Sequence, residues 1–156
     1  MRMKGKKPIF SYKDTWSLDS VLSPIIAEGL KKFLEVSNDP EKGQWFGVPG
    51  IFETEGLNLE NDEDHLIAFQ AWQDCIEEMI YAFENKEPNM NDYDFSYVKG
   101  SHHGEKSGPD DRWTRHHMVP DNKDEYDRYR NDETIHLRKV QKGYDLFGKY
   151  YSALWW

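Results

Sequence analysis

The strongest pattern of apolar and polar positions lies at the end of the chain. Between Glu133 and Trp156, Leu137, Val140, Tyr144, Phe147, Tyr151 and Leu154 recur at a 3-4-3-4-3 spacing. Arg138, Lys139, Gln141, Lys142 and Asp145 fall largely off that stripe. The pattern predicts a helix with a coiled-coil-like apolar seam, ending in Trp155 and Trp156. A helix this apolar on one side needs other helices to cover it. Two further patterns supply them. Leu22, Ile25, Ile26, Leu30 and Phe33 repeat at helical spacing and predict a helix from Leu18 or Val21 to Val36. Pro24 suits only a first turn, which favours Ser20 as the cap, and Asn38-Asp-Pro40 closes the helix. Leu66, Phe69, Trp72, Ile76, Met79, Ile80 and Phe83 mark a second helix. Asn61 or Asp62 caps it, with Glu63 and Asp64 in a first turn that suits the helix dipole.

The intervening stretches are irregular. Residues 38–61 hold Gly43, Gly47 and a Val-Pro-Gly turn at 48–50, with Trp45, Phe46, Ile51 and Phe52 placed to pack back on the body. In residues 88–123, Tyr93, Phe95, Tyr97 and Val98 have the alternation of one short strand. A short fourth helix near Asp121 to Asp124 carries Tyr126 and Tyr129. Asn131-Asp132 reads as a break or a new cap before the last helix, and merger of the two is the alternative. The expected fold is mainly α, a small helical bundle of three main helices plus one short, with two long ordered loops. Residues 1–13 form a basic, mobile lead-in and 14–156 a single helical domain. The last helix, roughly 35 Å long if continuous, exceeds what a compact core of this size needs, which favours a homodimer or higher oligomer through it.

Composition narrows the partners. The net charge of −9 argues against broad binding to DNA or RNA, while leaving room for a small anion in a local basic pocket. Six Trp and nine Tyr let a modest hydrophobic content build a core and also favour half-wet pockets. Cys75, the only cysteine, excludes an internal disulfide and reads as a packing residue. No stretch approaches the apolar length of a membrane span, and the N-terminus lacks a signal-peptide core, so a soluble cytosolic protein is expected.

Four constellations carry candidate chemistry. Gly100-Ser-His-His-Gly-Glu-Lys106-Ser107 is one residue from a phosphate-binding loop, but Glu105 stands where glycine is required and would face the phosphates with a carboxylate. His102, His103, His116 and His117, with Asp110 and Asp111, include metal-ligating types at a spacing that matches no ligand pattern; solvated loop histidines are the preferred reading and no cofactor is implied. Glu133-x-x-His136 and Asp62-x-x-His65 resemble the carboxylate–histidine units of di-iron bundles, but both sit at predicted helix starts instead of facing inward mid-helix. Arg112-Trp113-Thr114-Arg115-His116-His117 is the most suggestive. Two guanidiniums grip phosphate bidentately, an indole stacks on a base, and the hydroxyl and imidazoles add hydrogen bonds. Ion pairing with Asp110, Asp111 and Asp121 is its bland counterpart. Trp16 and Trp45 are further aromatic candidates for such a pocket, although Trp16 with Asp19 also fits a helix staple and cap. Of Glu77 and Glu78, at least one must lie near the buried stripe and serve as a partner for an Arg or a ligand.

Three separated motifs point to a family. They are Asp14-Thr-Trp-Ser-Leu-Asp19, Trp72 through Glu77-Glu-Met-Ile-Tyr-Ala-Phe83, and Gly143-Tyr-Asp-Leu-Phe-Gly-Lys-Tyr-Tyr-Ser-Ala-Leu-Trp155. The set resembles a group of short bacteriophage-encoded proteins that start with a D-x-W-x-x-D helix and end in an L-F-G-K-Y-Y/F-x-x-L-W helix. The resemblance covers the three helices, not residues 88–123, and departs at Trp156, where the group has Asp. It implies a phage or prophage origin and action in the cytoplasm of the infected bacterium, and it carries no catalytic residue over. Together with the absence of a convincing catalytic set, the leading expectation is a counter-defence protein that binds and sequesters a small anionic, nucleotide-type signal without catalysis. The alternatives are an acidic protein-binding module, inhibiting a host protein or acting in phage assembly, and a small His-based metalloenzyme.

Overall fold

A computed structural model of the chain describes residues 2–39, 41, 47–84, 87–100 and 118–154. It is mainly helical, a small bundle with long connections, as the apolar patterns predict. In chain order come β1 (Arg2–Lys4), β2 (Lys7–Ile9), α1 (Leu18–Ser37), α2 (Asp62–Glu84), β3 (Tyr97–Lys99), β4 (Met118–Pro120) and α3 (Lys123–Tyr150). Single 3₁₀ turns form at Lys13–Thr15, Met90–Asp92 and Tyr151–Ala153. The residues group into two compact units, one of Met1–Lys86 with Leu137–Trp156, the other of Glu87–His136. α3 contributes its first half to the second unit and its second half to the first.

The first unit begins with a hairpin inside the basic lead-in. β1 pairs with β2 in antiparallel register, Lys4 opposite Lys7, and Gly5 supplies the turn with φ +62°, which a side chain would strain. The Ser11 amide donates to Asp14 Oδ2 at 2.6 Å, and the Asp14 amide donates to Ser11 Oγ at 3.3 Å. The first of these bonds holds the Asp14 carboxyl down at about 2.

α1 starts at Leu18, the earlier of the two expected starts, so Ser17 and not Ser20 stands in the cap position. Pro24 therefore lies inside the helix and removes the donor that the Ser20 carbonyl would have met. Ser20 is exposed, so water can satisfy that oxygen, which is why proline is tolerated one turn later than expected. At the other end, Gln73 Nε2 donates to the Asn38 side chain, and Ser37 Oγ donates to the Leu34 carbonyl at 2.8 Å. α2 begins as predicted. The Asn61 side chain accepts from the Glu63 amide at 3.0 Å and its carbonyl from the His65 amide at 2.9 Å.

The core is built on Leu30, Trp72, Cys75, Ile76, Met79 and Tyr150. Phe52 packs back from the 38–61 connection as expected, its ring 5.3 Å from Trp72 and 5.5 Å from Tyr150; Trp72 and Tyr150 are themselves 5.5 Å apart. Trp45 and Phe46 lie outside the described residues. Burial pushes the Cys75 thiol up to about 11. We expect Cys75 to react with a thiol reagent at pH 8 only at the rate of unfolding, because so little thiolate forms in the native protein. Fast stoichiometric labelling without denaturant would contradict that burial.

α3 is one continuous helix through Asn131-Asp132, the merger given above as the alternative, so the short fourth helix is its first half. The predicted face of its second half is corrected. Its inner face in the first unit is Val140, Gly143 and Tyr150, all buried, with Phe147 half-buried, whereas Leu137 is 54% and Tyr151 68% exposed. The cause is Gly143. A Cβ there would fall 2.5 Å from Ala82 Cβ and closer still to the Glu78 carbonyl oxygen, so α2 approaches α3 along a glycine that a hydrophobic pattern does not register. That approach turns the seam one residue back around the helix. On α2, Leu66 is likewise outside the core at 66% exposed, and the small Ala68 and Ala82 are buried.

A candidate recognition loop and its anchor

The second unit explains why residues 88–123 carry so many rings. Tyr93, Phe95 and Tyr97 alternate along an extended stretch, and Tyr126 and Tyr129 sit three apart on α3, so each set presents its rings on one side. The two sets meet. Phe95 is 5.4 Å from Tyr126 and 5.7 Å from Tyr129, Tyr93 is 5.3 Å from Tyr129, and Tyr97 is 6.0 Å from Tyr126. The Tyr93 hydroxyl donates to Asp132 Oδ2 at 2.8 Å, a bond that raises its proton's pKa, and the Arg128 guanidinium lies 4.9 Å over its ring. Burial, then the Glu133 carboxylate, raises Tyr129 in the same direction.

This cluster supports a hairpin. β3 pairs antiparallel with β4, Tyr97 opposite Pro120 and Lys99 opposite Met118. Below it the Asp121 amide donates to the Ser96 carbonyl at 3.0 Å and the Ser96 amide to Asp121 Oδ1 at 2.7 Å. A two-stranded ribbon of three-residue strands is marginal by itself, so the ring cluster and these bonds must hold it. Its effect is to place residues 99 and 118 side by side, at the two ends of the segment that carries the candidate chemistry.

Of the candidate ligand-binding residues, Arg112, Trp113, Thr114, Arg115, His116, His117 and Trp45 lie outside the described residues, as do His102, His103, Asp110 and Asp111. His117 directly precedes β4. A strand does precede Gly100, as a phosphate loop would need, and the residues after it lie outside the described ones. Trp16 belongs to the other unit, 75% exposed at the end of the Lys13–Thr15 turn, with Tyr12 edge-on at 5.7 Å. Glu133 and His136 are mid-helix in α3 instead of at a helix start. Glu133 accepts from Tyr129 and Arg130, and His136 is buried. Among the described residues no three His, Cys, Asp or Glu side chains converge as a metal ion would require. Glu78 is the carboxylate beside the buried stripe, and its partner is Lys142 at 2.7 Å.

The first unit adds two clefts worth noting. One of about 400 Å³ is apolar, between Ile26, Phe33 and Val36 of α1 and Phe147 and Leu154. Another of about 570 Å³ lies between Tyr81 and Glu78 of α2 and Lys139 and Lys142 of α3; both lysines are engaged, Lys142 by Glu78 and Lys139 by the Tyr81 ring. Among the described residues no helix is long and apolar enough to cross a membrane.

The residues that sequence reasoning missed are structural supports. Gly143 and Ala82 were invisible to an apolar pattern, while the matched spacing of Tyr93-Phe95-Tyr97 and Tyr126-Tyr129 was the signal that the two stretches meet. Compared with known proteins, the chain matches no family model, no curated protein and no solved structure.

Proposed function

We propose that the protein is a phage accessory protein that captures a small anionic, nucleotide-type ligand with segment 112–117 and withholds it from its receptor in the infected cell. What supports this reading is the pairing of Lys99 with Met118, which sets the residues that flank positions 100–117 side by side on a ribbon backed by five aromatic rings. Arg112 and Arg115 bring the densest positive charge in an acidic chain, suited to bidentate contact with phosphate. The phage setting rests on the three sequence motifs.

Calorimetry with a panel of mononucleotides and cyclic oligonucleotides tests the reading. Arg112→Ala combined with Arg115→Ala is expected to weaken binding about 100-fold or more, since each charge-assisted contact is worth roughly 1.5–3 kcal/mol. Full affinity in the double variant would remove the proposed pocket. The apolar α1 cleft and the net charge of −9 favour a second reading, a protein-binding module. Silence across the nucleotide panel, with one host protein retained stoichiometrically on the immobilised chain, is the outcome that would select it.

A further inference from the structure

Residues 4–18 combine exposed cations with exposed rings. Arg2, Lys4, Lys6, Lys7 and Lys13 stand in a stretch without a carboxylate, in a protein of net charge −9. The N-terminal hairpin draws three of them together. Lys4 lies directly opposite Lys7, and Lys6 sits in the turn between them. Like charges facing each other across a ribbon are unfavourable, and a ribbon of three-residue strands has little to set against that. Among the described residues Lys4, Lys6, Lys7 and Lys13 have no carboxylate partner, whereas Lys31, Lys32, Lys142 and Lys149 each have one. An anion outside the chain would supply the missing countercharge.

The same stretch exposes large apolar side chains. Ile9 shares a ribbon face with Lys7, two positions before it, and with Lys4 opposite. Phe10 and Leu18 are exposed as well, and Tyr12 and Trp16 are 76% and 75% exposed, their rings edge-on at 5.7 Å. Cations beside aromatic rings can hold single-stranded nucleic acid, whose bases stack on the rings. Ile9 and Leu18 argue for a different anion. An aliphatic side chain has no ring face for a base, but it gains by leaving water at the level of lipid headgroups. Trp and Tyr, apolar rings with a polar edge, favour that same depth, and lysine stems reach from it to the phosphates. Negative charge elsewhere on the chain does not prevent contact, since at physiological salt exposed charges are largely screened beyond about 8 Å. We propose that this patch docks on the surface of an anionic lipid bilayer, with Lys4, Lys6, Lys7 and Lys13 at the phosphates and Trp16 and its aliphatic neighbours among the headgroups. The contact is peripheral and needs no spanning helix. It does not depend on the ligand reading.

Cosedimentation of the full chain with vesicles tests the proposal. Vesicles of equal parts phosphatidylcholine and phosphatidylglycerol should carry the protein down, and phosphatidylcholine alone should leave it in solution. Each lysine near an anionic surface contributes about a fivefold gain in affinity, so combining Lys4→Gln, Lys6→Gln and Lys7→Gln should weaken binding about 100-fold. Trp16→Ala should weaken it too, which separates entry of the ring among the headgroups from charge attraction alone. All four positions are exposed, so thermal melts of both variants should match the wild type. No binding to the anionic vesicles, equal binding to the neutral ones, or full affinity in either variant would overturn the proposal. Lysine-dependent binding of a single-stranded oligonucleotide without vesicle binding would also overturn it and assign the patch to nucleic acid.

Discussion

Gly143→Ala should destabilise the protein by about 2 kcal/mol, although alanine is the better helix former. Helix propensity alone would stabilise the substitution by about 1 kcal/mol. Against it stands overlap of the new methyl with Ala82 Cβ at 2.5 Å and with the Glu78 carbonyl oxygen. Neither neighbour is the end of a flexible chain, so α2 and α3 must separate, and overpacking of this kind costs about 1–3 kcal/mol, here towards or beyond its upper end. The expected fall in melting temperature is about 4–8 °C for a chain of this length. Gly148→Ala is the internal comparison. With open space at that position, it should be neutral or stabilising by up to about 1 kcal/mol. Thermal melts of the two variants decide the matter, and equal behaviour would mean that the close approach at Gly143 is not what sets the helix pair.

Trp72→Ala is expected to be the most damaging single truncation, with a loss of about 3–5 kcal/mol. Trp72 is 2% exposed and meets Phe52 and Tyr150 in a three-ring contact that joins α2, the end of α3 and the 38–61 connection. Removing the indole leaves a cavity that neither Phe52 nor Tyr150 can fill, because each is anchored on a different element. Total stability of a domain is about 5–15 kcal/mol, so the variant should be partly unfolded at physiological temperature. Phe52→Ala, at a half-buried position on a connection, should cost less and leave the helices folded. Urea unfolding monitored by circular dichroism measures both. A midpoint for Trp72→Ala equal to wild type would show that the ring cluster is not the centre of the core.

What could be read from sequence about the site divides the same way. The chemistry of segment 112–117 is written in residue types: two guanidiniums, an indole, a hydroxyl and two imidazoles within six positions. Its anchoring was not, because the ribbon pairs Lys99 with Met118 across residues that show no strand pattern. The Tyr93–Val98 alternation hinted at one strand and gave no partner for it. Only the meeting of those rings with Tyr126 and Tyr129 makes the hairpin stable enough to exist.

The sequence by itself determined that three helices form and roughly where. Periodic apolar positions, the Asn61 cap and the Asn38-Asp-Pro40 break act within a few residues, so they survive without knowledge of the fold. The same patterns marked the inner side of α1 at Leu30 and of α2 at Trp72, Ile76 and Met79, whereas tertiary structure alone decided the seam of α3. On α3 Leu137 and Tyr151 of the regular seam lost their places to Gly143 and Tyr150, because close backbone approach between α2 and α3 lets Val140, Phe147 and Tyr150 fill the core together. Hydrophobic periodicity counts side chains, whereas packing also rewards their absence, and that reward is visible only when the neighbouring helix is in place.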